Sequence, residues 1–402
     1  MRRSAFLASA AAAAAAPLAV RAAQPRVRLG DDAFVDELWR ELHGRAVGIV
    51  TNPSGVLSSG EPLVDAVHRN GEIAVKALFG PEHGIRGGAS AGATVASSVD
   101  ERTGLPVHSL YGATRRPTKA MLDGIDVLLF DIQDVGARPY TYVSTMAYVM
   151  EAAAQYGKEV WVLDRPNPVG GALVDGPVLE PKYKSFVGLY PIPERHGMTV
   201  GELARMFNDH FGIGCTLRVI PMDGWSRTMV WSETGLRWIP TSPNMPYART
   251  TIVYLATGLC DNAGLNNGIG TDRPFEYAGG YEYDPKAMRD ALASRAIPGI
   301  EFEPADWSPA RGFWAGKTLH GVALNVTDPH AFPSVRSAVE LLAAARAQGK
   351  FHVANAHVMD RDWGTDAVRL ALVDGTPPES IVASWQPGLR AFGALRAKYL
   401  LY

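Results

Sequence analysis

Apolar and polar positions fall in blocks along this chain rather than alternating residue by residue. Four short runs, AVGIVTN (46–52), IAVKALF (73–79), DVLLFDI (126–132) and VWVLDR (160–165), are rich in β-branched residues, and each closes on a polar or glycine-rich loop. Runs of this length and content predict buried strands. Between the last two, YTYVSTMAYVMEAAAQYG (140–157) carries apolar residues at helical spacing and stops at Gly157, a residue suited to a left-handed C-cap. Strands apolar on both faces and separated by helices predict a parallel sheet wrapped on both sides. MTVGELARMFNDHFG (198–212) predicts an amphipathic helix opened by a Thr199–Glu202 capping box, and TLRVI (216–220) a further strand.

The proline-rich WIPTSPNMPYA (238–248) reads as a connection. Beyond it lie GVALNVTD (321–328), a helix over 334–349 and a C-terminal helical segment. At 402 residues the chain exceeds one typical core, so two domains are expected, 24–245 and a smaller 246–402. A formal charge of -2 points away from nucleic acid and anionic membrane surfaces as partners.

Residues 1–23 have the pattern of an export signal: Arg2 and Arg3, an alanine-rich apolar stretch, then small residues around Val20 to Ala23. The stretch falls short of the ~20 residues that span a bilayer. The expectation is therefore an exported protein, periplasmic or extracellular, with no membrane anchor after cleavage. The general secretory and twin-arginine routes both remain open. Cys215 and Cys260 are the only cysteines, and a chain of this size needs no disulfide to hold it.

In parallel sheets, ligands bind beyond the carboxyl ends of the strands. That rule gathers Asn52, Glu82 and His83, Asp131 and Asp134, and Asp164, Arg165 and Asn167 around one crevice. Glu82 and His83 stand in GPEHG, where glycine and proline set the backbone and leave both side chains to whatever lies above. FDIQDVGARPYTY (130–142) offers two carboxylates, Asp131 and Asp134, with Arg138, Tyr140 and Tyr142. Carboxylates on neighbouring strand ends suit glycoside or ester hydrolysis, and an arginine suits a substrate carboxylate. A structural Asp–Arg pair is the competing reading. PIPERHGMT (191–199) adds Glu194, Arg195 and His196.

Several chemistries lack support. No dinucleotide-binding or P-loop glycine pattern is present, and neither a G-x-S-x-G elbow nor H-E-x-x-H occurs, so no cofactor or metal is expected. Ser54 reads as a turn residue. Trp225, Trp231 and Trp238 are open to sugar stacking or, more commonly, core packing.

The motifs GIVTNPSGV, LFGPEHGIRG, FDIQDVGARPYTY, LDRPNPVGG, PIPERHGMTVGELA and TSPNMP, with the ending IVASWQPGLRAFGALRAKYLLY, resemble a bacterial family of exo-acting β-N-acetylmuramidases. These are glycoside hydrolases of peptidoglycan turnover, formerly grouped as a domain of unknown function. The resemblance spans about Val27 to Tyr402. It implies a Rossmann-like parallel-sheet domain, a second, smaller α+β C-terminal domain and a cleft between them. It implies removal of terminal N-acetylmuramic acid from the non-reducing end of wall saccharides or muropeptides. The family glutamate falls on Glu82, the expected general acid, with Asp134 or Asp131 as second carboxylate. His83, Arg86, Arg138, Tyr142, Asn167, Arg195, His196 and Asn244 are the expected substrate contacts. Arg86, Arg138 and Arg195 are candidates for the sugar's lactyl carboxylate. A sugar- or wall-fragment-binding protein without turnover is the alternative. One departure motivates it: where the family commonly shows EGTNVSEGRGT, this chain has Asp261, Asn267 and Ile269 at the two glutamates and the arginine.

Overall fold

The computed structural model describes residues 26–90 and 92–402, so the export-signal reading of 1–23 lies outside the described residues. Twelve strands run in chain order: β1 (Ala46–Thr51), β2 (Ala74–Gly80), β3 (Ser98–Val99), β4 (Pro106–Ser109), β5 (Val127–Asp131), β6 (Glu159–Leu163), β7 (Asp175–Val178), β8 (Pro193–Arg195), β9 (Thr216–Ile220), β10 (Tyr277–Gly280), β11 (Ile300–Trp307) and β12 (Leu319–Val326). Seven of them form one sheet in the order β3-β4-β2-β1-β5-β6-β9, parallel except for the β3 edge. The chain leaves β1 toward β2 and β4, then returns to β5 and continues to β6 and β9. The order therefore reverses between β1 and β5, where such sheets place their ligand crevice.

Neighbouring residues of a central strand serve opposite layers. Leu128 and Phe130 of β5 and Val160 and Val162 of β6 pack with helix α3 (Tyr142–Tyr156) and helix α4 (Val200–Asp209). Val127, Leu129, Trp161 and Leu163 pack on the other side with Phe34, Leu63 and Val67. This double burial is why the strands are apolar throughout. α3 ends at Gly157 with φ 65°, and α4 begins with the Thr199–Glu202 box, Thr199 accepting from the Glu202 amide.

The C-terminal region is a different construction. β10, β12 and β11 make an antiparallel sheet, and helix α5 (Ala248–Thr257), helix α6 (Pro285–Ala293) and helix α7 (Ser334–Ala347) pack in one apolar cluster with it. The last helix (Gln386–Arg396) and the tail turn back, burying Phe392 and Tyr399 in the α3–α4 layer. Cys215 and Cys260 are free and buried in separate clusters. Trp225 and Trp231 are core residues; Trp238 packs edge-on against Trp231 and donates to the Met245 carbonyl. No helix among the described residues is long and apolar enough to cross a membrane.

Candidate active site

β2 delivers the chain into a tight turn in which the Gly84 amide donates to the Pro81 carbonyl at 3.0 Å. His83 occupies this turn with φ 71°, a left-handed conformation that normally falls to glycine or asparagine. Its ring Nδ1 pairs with the Ala89 carbonyl at 2.9 Å, so its orientation is fixed by the loop. Glu82 beside it is half-buried. Its carboxylate accepts from the Thr141 hydroxyl at 2.8 Å and from the Gly92 amide at 2.8 Å. Two neutral donors orient this carboxylate, and no cation pairs with it within 4 Å among the described residues.

The wall opposite Glu82 is aromatic. Tyr140, just ahead of α3, has its hydroxyl 2.7 Å from the Thr241 hydroxyl, and its ring packs edge-on against Tyr142 and Tyr254. Burial first, and then the charges of Asp134 and Glu82, raise the Tyr140 phenol far above its ordinary value. Tyr254 on α5 is raised by burial, with smaller contributions from Tyr140, Asp362, Asp261 and Glu82. These tyrosines are thus neutral hydroxyls between the sheet's strand ends and the C-terminal region.

Asp134 lies in the loop after β5, which pairs with β8: Ala137 bridges Arg195, and the Arg138 amide donates to the Glu194 carbonyl at 2.8 Å. The pairing brings His196 to Asp134, with His196 Nε2 3.5 Å from Asp134 Oδ2. His196 Nδ1 accepts the Met198 amide proton, which leaves the ring proton of the neutral imidazole on Nε2, toward Asp134. Asp134 Oδ2 also accepts from the Gly136 amide at 2.7 Å, whereas Oδ1 is buried without a partner. Asn52 Nδ2 and Gln133 Oε1 at neighbouring strand ends are likewise unpartnered. Buried polar atoms without partners are costly, and three of them beside one crevice point to a polar ligand.

Other expected contacts have structural occupations. Asp131, expected as an alternative second carboxylate, is 0% exposed and receives Arg165 Nε at 2.6 Å; the same guanidinium is held by Asp31. Burial raises Asp131 against the lowering pull of Arg165. The pair is fully enclosed, with Asp131 Oδ2 buried and without a hydrogen-bond partner, an arrangement that suits a structural role at the strand end. Asp164 accepts from Thr199, the Gly201 amide and the Tyr402 hydroxyl, fastening α4 and the tail to β6. Asn167 donates to the Met198 carbonyl and accepts from the Val169 amide. Tyr142 donates to the Thr241 carbonyl.

Arg86, Arg138 and Arg195, the expected clamps for a substrate carboxylate, each meet partners within the protein. Arg86 grips Asp100 through Nε at 2.9 Å and Nη2 at 2.8 Å, with Asp65 at 3.2 Å. Arg138 is buried against Glu194. Arg195 donates to the carbonyls of Val169 and Phe332 and lies near Asp175. Arg138 Nε and Nη1 and Arg195 Nε are buried without hydrogen-bond partners.

Asn244 stays near the crevice. It follows Ser242, whose hydroxyl bonds its amide, and its side-chain oxygen accepts from Arg311 at 3.0 Å. In the departing loop, Asn267 donates to Asp261 at 2.6 Å. One edge of Asp261 reaches solvent, yet protein atoms crowd its other sides; that enclosure, with the nearby Asp362, raises its carboxyl to about 7. Thr141, Tyr254 and Tyr111 escaped the sequence reading. Only Thr141 had a signal, its place beside Tyr140 at a helix start.

Among the described residues, no group of three or more His, Cys, Asp or Glu is placed to hold a metal ion. What the arrangement offers is acid–base chemistry: a carboxyl held by neutral donors, a second carboxylate beside a histidine, and a wall of tyrosines.

Comparison with known proteins agrees with this chemistry. Family models described as exo-β-N-acetylmuramidase NamZ, N-terminal and C-terminal, match residues 47–249 and 252–402. The chain is 43% identical over 383 residues to the peptidoglycan β-N-acetylmuramidase NamZ of Bacillus subtilis (strain 168), covering 95% of this chain and 92% of the relative. Two solved DUF1343 family proteins from Bacteroides fragilis NCTC 9343 are also similar. One aligns with a TM-score of 0.88 at 35% identity, the other with 0.74 at 30%; each comparison covers 94% of this chain and 99% of the other. The chain belongs to the exo-β-N-acetylmuramidase NamZ family of glycosidases.

Proposed function

We propose that this chain is an exported glycosidase that releases terminal N-acetylmuramic acid from the non-reducing end of peptidoglycan fragments, with Glu82 as general acid. The observation that carries the assignment is the half-buried Glu82 carboxylate, held by Thr141 and Gly92 rather than by a cation. A glycosidic acid must hold a proton and release it to the leaving oxygen, and a fixed cation would strip that proton away. Asp134 is the second carboxylate, with its Oδ1 unpartnered, the Gly136 amide setting its orientation and His196 beside it. It orients the sugar or its 2-acetamido group, which can itself assist displacement of the aglycone. His83 and Asn244 contact the sugar. The junction near residue 246 separates a sheet domain from a C-terminal domain that supplies the tyrosine-bearing α5, and the mature protein works in the periplasm or outside the cell.

Product analysis after incubation with digested peptidoglycan tests this reading. Free N-acetylmuramic acid is the expected species, and its release should vanish in Glu82→Gln. Calorimetric binding of muropeptides with no sugar released over long incubation would replace the enzyme reading by a binding protein, the reading that the Asp261–Asn267 loop favours.

A further inference from the structure

Muramic acid differs from glucosamine by one lactyl ether, and that ether ends in a carboxylate. An enzyme selective for it needs an unneutralised cation near the catalytic acid, because fixed charge discriminates such isosteres where apolar contact does not. The arginines around the crevice divide sharply on this criterion. Arg86 pairs with Asp100, Arg138 and Arg195 are buried inside the fold, Arg165 is held by Asp131, Arg249 and Arg273 share Glu276, and Arg311 donates to the Asn244 side chain.

Arg115 is placed otherwise. Its guanidinium lies 4.4 Å from the Phe186 ring centre and 5.1 Å from that of Tyr111. Phe186 is buried and stacks on Tyr148 with ring centres 5.7 Å apart, so the surface beneath the guanidinium is rigid. Aromatic faces hold an arginine in place without cancelling its charge or using its five N–H donors. Among the described residues, no carboxylate comes within 4 Å of Arg115, whereas the next residue, Arg116, is paired with Glu151. The side chain is also exposed.

Its position relative to the acid follows from the sheet. The Leu110 amide donates to the Gly80 carbonyl at 2.8 Å, which sets the next residue, Tyr111, with Arg115 over its ring, beside the turn that carries Glu82. In keeping with that placement, burial raises the Tyr111 phenol, Glu82 raises it further, and Arg115 lowers it. Resting on the muramidase reading above, we propose that Arg115 is the specificity residue that binds the lactyl carboxylate of the sugar whose glycosidic oxygen sits at Glu82. Tyr111 and Phe186 position it, and loss of the carboxylate from the sugar removes the only group that this arginine can pair with.

The test uses two chromogenic substrates, an N-acetyl-β-muraminide and its lactyl amide, which differ in charge and little in shape. Wild type should prefer the acid by about 100-fold in kcat/KM, mostly through KM. Arg115→Ala should bring the ratio of acid to amide close to one, and Arg115→Lys should restore part of it, since ammonium keeps the charge and loses the fork. The proposal is overturned if Arg115→Ala slows both substrates equally, if the preference persists, or if Arg311→Ala abolishes it instead. Calorimetry with free N-acetylmuramic acid and N-acetylglucosamine reads the same selectivity without turnover. Arg115-dependent preference in a protein that cleaves neither substrate would sink the muramidase reading and leave this inference standing. Intact turnover with a preference indifferent to Arg115 would do the reverse.

Discussion

β2 and β5 lie on either side of β1 in one sheet, and each carries a carboxylate at its end, yet the two have opposite surroundings. After β2, Glu82 is half-buried and bound by a hydroxyl and an amide. At the end of β5, Asp131 is sealed and clamped by a guanidinium shared with Asp31. A cation at contact distance commits a buried carboxylate to an ion pair, whereas neutral donors orient a carboxylate without pairing its charge. On the function proposed above, the same residue class near neighbouring strand ends serves chemistry in one case and architecture in the other, and the partner decides which.

The sharpest break of this comparison is Glu82→Gln. Turnover of a chromogenic β-N-acetylmuraminide should fall by about 1,000-fold, with the melting temperature unchanged. A folded variant with wild-type turnover would remove Glu82 as the acid. Asp131→Asn should do the opposite. It leaves Arg165 short of a buried partner and should cost about 3–5 kcal/mol of unfolding free energy, read from urea titration, while activity per folded molecule persists. Unchanged stability would mean that Asp31 alone satisfies the guanidinium.

A smaller effect comes from Asp261, whose carboxyl is raised to about 7 from an ordinary 3.8, first by enclosure and then by Asp362. The folded protein then holds a proton there that the unfolded chain releases. The stability it contributes is full below about pH 4 and is lost as pH rises through about 7. Melting temperature should therefore decline over that window, and Asp261→Asn should flatten part of the decline. The smallest effect belongs to Arg86→Ala. Arg86 is partly exposed, but its partner Asp100 is buried and keeps only Thr103 as a donor, so about 1–2 kcal/mol of stability is at stake, and kcat/KM should not move. A large rise in KM would return Arg86 to the substrate.

The strands that build the crevice were legible because burial on both faces forces them to be apolar throughout, as in VLLFD of β5. β4 was not legible: PVHS is four residues long, opens on proline and is half-exposed. β11, IEFEPADW, buries Ile300 and Phe302 while the glutamates between them face out, and Pro304 interrupts the alternation. At the site, local spacing in GPEHG fitted a turn as well as a site, and it was the gathering of strand ends and the family resemblance that made Glu82 the expected acid. The commitments of Arg86, Arg138 and Arg195 were invisible, because Asp100, Glu194 and the Val169 carbonyl meet them only once distant segments fold together. His196 reached Asp134 in the same way, through the pairing of β8 with the loop after β5.

His83 carries a consequence for anyone who would engineer this protein. With φ at 71°, the residue holds a backbone that glycine would adopt freely, at a cost of about 1–2 kcal/mol. His83→Gly relaxes the turn's backbone but empties the buried space that the imidazole fills. The same change would remove the imidazole that ties this turn to the Ala89 carbonyl and release the neighbouring glutamate from its fixed bearing. Backbone ease and the anchored side chain pull in opposite directions at this single residue, so the protein's stability and its turnover are coupled there.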